Sequence, residues 1–181
     1  MPIKPCLTAL FAAAILAACS SNPLLPAEIR MTAAELTQRL DKRFPVERSV
    51  AGLVDVTFAH PVMSFNDTGK RLVATFDMTV RVPLSAKVLN GRVAVSGTPD
   101  YVPASRSLFL KGGKVDRLAI DNMPEALSGA LAKVASQLAR SQFEDKPLHT
   151  FQPEDFIKYG IGYEPERVQV RGDELVLTLK R

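Results

Sequence analysis

The sequence predicts an α+β domain in which a curved antiparallel β-sheet is covered on one face by helices. Three observations predict it. Side chains alternate strictly over Lys70 to Val82, with Leu72, Ala74, Phe76, Met78, Val80 and Val82 on one face and Arg71, Thr75, Asp77, Thr79 and Arg81 on the other beside Val73. Such alternation belongs to an antiparallel strand with one buried face. Thr32-Ala33-Ala34-Glu35 spells a capping box ahead of Leu36 and Leu40 at helical spacing. A second helical stripe, Leu127, Leu131, Val134 and Leu138, follows the strand-rich middle of the chain.

In chain order, the first helix ends before Pro45, since a proline ring cannot continue it. Strands follow at Val54 to His60 and Lys70 to Val82, joined through Asn66 to Gly69. Further strands are expected at Ala86 to Gly97, Ser107 to Lys111 and Val115 to Asp121, the last two closed into a hairpin by Gly112-Gly113. The second helix starts around Asn122 to Glu125, with Ala130 and Ala135 beside its stripe to allow close approach to the sheet. After Pro147 come a short strand through Phe151 and a single helical stretch from Pro153, with Glu154 and Asp155 where the helix dipole favours acids. Arg167 to Val170, a turn at Arg171-Gly172-Asp173, and Glu174 to Lys180 form a closing hairpin.

Ahead of this domain lies a different kind of sequence. Lys4 precedes an uncharged run from Leu7 to Leu16, the pattern of a signal peptide's apolar segment and too short to span a bilayer. Leu16-Ala17-Ala18-Cys19 resembles the bacterial lipobox, which implies cleavage before Cys19 and lipidation of its thiol and new amine. Each buried methylene contributes ~0.8 kcal/mol, so the several acyl chains implied would anchor the chain stably. The organisation expected is a signal peptide at 1–18, a lipidated tether at 19–28 rich in small residues and proline, and one domain at 29–181. Cys6 is removed with the leader, so no disulfide forms within the mature chain. Ser20 follows Cys19 where an aspartate would signal retention in the inner membrane, so the periplasmic face of the outer membrane is the expected location.

The net charge of +4 falls to +3 without Lys4 and is spread over a mixed surface. With no basic cluster interleaved with aromatics, nucleic acid is not an expected partner. His60 and His149 lie far apart, and no His-Glu-x-x-His or paired-cysteine spacing builds a metal site. No Gly-x-Ser-x-Gly elbow exposes a nucleophile, and Ser128-Gly129 reads as a small packing surface. Glu144-Asp145 and Glu154-Asp155 are adjacent pairs whose side chains diverge by ~100° on a helix, so helix-end electrostatics accounts for them. Lys111 to Lys114 reads as a turn, and so does the Arg-Gly-Asp at 171–173. No catalytic residue, metal or cofactor is expected. The remaining feature is an apolar surface carried by Phe58, Leu72, Phe76, Met78 and Val80 on strands and by Leu127, Leu131, Val134 and Leu138 on the second helix. It makes either a filled core or a cleft long enough for an acyl chain, and sequence leaves both open.

The lipobox, the tether, and stretches such as Met31 to Leu36 and Val50 to Val56 resemble the YceB-like lipoproteins, a family labelled as a domain of unknown function. That resemblance implies a small tubular lipid-binding (TULIP-like) fold, in which a curved antiparallel sheet wraps around a long helix with another helix in front. It further implies a non-enzymatic envelope lipoprotein, anchored to the membrane and taking a phospholipid or other apolar ligand between helix and sheet. The alternative is an envelope interaction protein with a filled core, docking a membrane partner. Fold alone does not choose between them.

Overall fold

A computed structural model describes residues 27–50, 54–66, 70–82, 87–122, 125–158 and 160–181. Cys19, the leader and nearly all of the tether lie outside the described residues, as do Asp67 to Gly69 in an expected turn and Met123-Pro124 in the expected start of the second helix. The described chain is mostly antiparallel strand with one long helix, an α+β architecture.

Strand β1 (Ala27–Thr32) leads into α1 (Ala33–Asp41). The expected capping box is formed: the Thr32 hydroxyl accepts from the Glu35 backbone N–H, and the Glu35 carboxylate accepts from the Thr32 N–H at 2.8 Å. Leu36 and Leu40, at i and i+4, are its buried residues. Six strands then make a meander in the order β2 (Val46–Val50), β3 (Val54–Phe65), β4 (Leu72–Arg81), β5 (Val88–Val102), β6 (Ser107–Ile120) and β7 (His149–Thr150). On β4 the alternation appears as expected, with Leu72, Ala74, Phe76, Met78 and Val80 buried. Asn66 shapes the β3–β4 connection, its side-chain oxygen accepting from the N–H groups of Lys70 and Arg71.

Helix α2 (Glu125–Ala139) packs on β5 and β6 and also on β2, near the opposite edge of the sheet. One helix meets both sides of a six-stranded sheet only if the sheet bends round it. Beyond α2 the chain widens into a π-helical turn, Arg140–Glu144, and then passes β7 and a 3-10 turn at Pro153–Phe156. A two-residue ribbon follows, β8 (Ile157–Lys158) and β9 (Ile161–Gly162). Strands β10 (Glu164–Arg171) and β11 (Glu174–Lys180) form the expected closing hairpin.

Two expectations need correction. Gly112-Gly113 does not turn the chain: β6 runs through it, and both halves pair with β5. The glycines form a bulge, where Gly112 takes φ +60° and the register shifts between Ser96 and Thr98. The hairpin turn is instead at Pro103–Ser105, because β5 continues past Gly97 and Pro99 to Val102. Secondly, β1 begins at Ala27, inside the span read as tether, and pairs with β11. The closing hairpin pairs with β1 and stands outside the main sheet: β1, β11 and β10 form a separate three-stranded sheet.

Candidate functional site

The apolar interior between α2 and the main sheet is the region the sequence singles out. All nine candidate side chains belong to one hydrophobic cluster. Phe58, Leu72, Phe76, Val80, Leu131 and Leu138 have no exposed surface, Met78 and Val134 are buried, and Leu127 is half-buried. Zero exposure means that no water-sized gap touches those six side chains, so the interior around them is filled. There the structure has a filled core where an open cleft was the alternative.

Several side chains that fill it lie outside the expected set. Phe44 stacks 4.8 Å from Phe76, centroid to centroid, and Phe143 sits 6.2 Å from the same ring. Phe143 reaches inward because the wide π-helical turn carries it and Gln142 into the core. Ala135 and Ala139 are fully buried on the helix face. At Ala139 the helix approaches β6 so closely that a Cβ on Gly113 would lie 3.4 Å from that of Ala139.

Coverage is uneven along the helix. Towards its C-terminal end the interior is closed by Phe143 and Leu148. Around its N-terminal end Leu127, Val82, Leu118 and Ile120 are packed on the cluster but only partly buried. The apolar interior therefore reaches the surface at this end, where β4 and β6 terminate.

Among the described residues, two depressions lie away from this interior. The larger, about 580 Å³, is on the outer face of the main sheet, where Asp77 accepts from Arg92 Nε at 3.3 Å and lies 3.2 Å from His60 Nδ1. His60 adopts φ +48° at a bulge between Ala59 and Val62. The smaller, about 160 Å³, lies between β1, α1 and β7 and is lined in part by Glu35, Arg39, His149 and Asp155. Burial, reinforced by the Arg39 guanidinium, pushes the His149 imidazole below its ordinary pKa. Arg39 donates to its Nδ1, which holds the ring neutral as an acceptor. Neither depression sets a nucleophile against a base. Among the described residues no three His, Cys, Asp or Glu side chains are grouped to hold a metal ion.

Comparison with known families gives a match over residues 31–174 to one described as "Protein of unknown function (DUF1439)". The chain belongs to this family. No curated protein matches the DUF1439 chain. Among solved structures it is similar to one titled "Crystal structure of lipopolysaccharide binding protein", at 15% identity and a TM-score of 0.31, covering 84% of this chain and 40% of that one. The chain thus spans less than half the length of that protein.

The DUF1439 match runs from the last buried residue of β1, Met31, to the first residue of β11, Glu174, and so takes in the whole meander and α2. Within it, sequence periodicity located the strand and helix faces that meet. Helical spacing also puts Phe44 in line with Leu36 and Leu40 on the first helix, but it missed Phe143 and Ala139, which sit in a π-helical turn and at the helix end, where a 3.6-residue pattern gives no signal.

Proposed function

We propose that this protein is a non-enzymatic envelope lipoprotein, anchored through Cys19, that binds the acyl part of a lipid between α2 and the bent sheet in a TULIP-like manner. The observation that carries the reading is the uneven closure of the interior, sealed at Phe143 and Leu148 and only half covered at Leu127, Val82, Leu118 and Ile120. A chain of methylenes entering there displaces packed side chains; it does not fill a hole already present. Each methylene moved from water contributes ~0.8 kcal/mol, so a long acyl chain offsets the loss of several side-chain contacts. The lipobox at Leu16 to Cys19 and Ser20 after it support attachment to the periplasmic face of the outer membrane.

Native mass spectrometry of the chain from Ser20 onward, purified without denaturant, tests the binding claim. A co-purifying lipid, or saturable uptake of a fluorescent fatty acid reduced by Leu127→Glu, is the expected result. Repeated absence of both overturns it. The second reading, an envelope docking protein without ligand, is favoured by the six interior side chains with zero exposure. In-cell crosslinking separates the two, because docking gives one stable partner and lipid binding gives none.

A further inference from the structure

The described residues leave four large apolar side chains exposed, and two of them, Ile157 and Ile161, sit in the β8–β9 ribbon. A single exposed isoleucine needs no explanation. Two on the paired strands β8 and β9, 53% and 40% exposed, are a concentration that the other described residues do not repeat. Ile157 pairs with Gly162 and Lys158 with Ile161, so the two isoleucines project from opposite faces of the ribbon. Each face of the ribbon thus carries one exposed isoleucine, Ile157 beside Gly162 and Ile161 beside Lys158.

Its position gives the second argument. Lys158 Nζ donates to the backbone carbonyl of Glu28, so the ribbon stands beside the start of β1. Only eight peptide steps separate Cys19 from Ala27. At ~3.5 Å per step they span at most about 28 Å. At the same end of the molecule lie Lys180, opposite Glu164 in register, and Arg181 after it, cations that anionic headgroups would attract.

We propose that the β8–β9 ribbon is a membrane-contact element that inserts Ile157 and Ile161 into the leaflet carrying the Cys19 anchor. This rests on the anchor reading above. The short tether supplies a high local lipid concentration, so two isoleucines, too few to hold a free protein on a bilayer, are enough to orient an attached one. The half-covered end of the interior then points away from that leaflet. Tyr101, 6.4 Å from Phe156 beside the ribbon, lies near one end of β5, and Val88 lies at the other. At ~3.3 Å per residue that is a contour of roughly 40 Å.

The chain contains no tryptophan, so one can be introduced as a sole reporter. The chain from Cys19 onward, made without its leader, has a single thiol that can be coupled to a maleimide lipid in phosphatidylethanolamine–phosphatidylglycerol vesicles. With Ile161→Trp, or Ile157→Trp as a second position, the emission is expected to shift to the blue by 10 nm or more and to be quenched by brominated acyl chains. Val88→Trp is expected to respond to neither. No shift at either ribbon position, or an equal shift at Val88, overturns the proposal. Because the lipid is attached chemically, this result is independent of natural lipidation, which the intact mass of the cell-derived protein tests separately.

Discussion

The backbone N–H of Gly113 donates to Glu144 Oε1 at 2.8 Å, tying the bulge in β6 to the turn that ends α2. The neighbouring carbonyl of Gly112 accepts from Arg71 Nη2 at 2.8 Å. Groups that a bulge removes from the strand ladder are thus satisfied from both flanks, by a carboxylate and by a guanidinium. Hydrogen bonds to a charged group contribute ~1.5–3 kcal/mol. Glu144→Ala is therefore expected to lower the free energy of unfolding by about 1–3 kcal/mol in urea titrations, and Glu144→Gln, which keeps an acceptor, by clearly less.

Gly91 tests how tightly the sheet is bent. A Cβ there would lie 2.3 Å from the Ala119 carbonyl oxygen and 2.8 Å from Ile120 Cα, both backbone atoms with little room to move. Forcing β5 and β6 apart at this point is expected to cost about 2–3 kcal/mol. Thermal unfolding of Gly91→Ala measures it; Gly129→Ala, on an open helix position with nothing within 4 Å, is expected to be neutral or stabilising.

The interior should be graded along its length. Phe76 touches Phe44 and Phe143 and has no exposed surface, so Phe76→Ala is expected to cost about 3–5 kcal/mol. Leu127, half-buried at the other end, should cost no more than about 1–2 kcal/mol on truncation to alanine. Chemical denaturation of the two variants side by side checks the gradient.

His149 gives a pH dependence whose sign follows from its environment. Burial first, and then Arg39, hold its folded pKa below the ordinary value of about 6.5. The unfolded chain therefore takes up the proton first, and the fold loses stability as pH falls from about 6.5 towards the lowered folded value. His149→Gln, which keeps an acceptor for Arg39 but no proton site, is expected to lose less between pH 7.5 and pH 5 than the natural chain. An unchanged difference in melting temperature across that interval contradicts the assignment.

Much of this fold is legible in the sequence where local pattern and tertiary role agree. The Thr32–Glu35 box, the β4 alternation and the α2 stripe are each set by side chains within a few residues of one another. The failures share a physical cause. Gly112-Gly113 carries the same backbone freedom in a hairpin turn and in a bulge, and the presence of a 15-residue partner strand decides between them. Ala27 to Thr32 is a strand because β11, at the far end of the chain, pairs with it. Its own alternation, Ile29 and Met31 after Pro26, is too brief to separate strand from tether. The interior residues were legible as apolar faces, whereas their closure depends on Phe44 and Phe143, brought in by a helix exit and a π-helical turn.

The central claim is that lipid enters at the half-covered end of the interior. Photocrosslinking with a diazirine-bearing fatty acid, followed by peptide mapping, tests it most directly. Label concentrated on Leu118 to Ile120 of β6 and Glu125 to Leu131 of α2, and competed away by unlabelled fatty acid, is the expected result. Label that no competitor removes, or that falls on the outer face around His60, Asp77 and Arg92 instead, contradicts it.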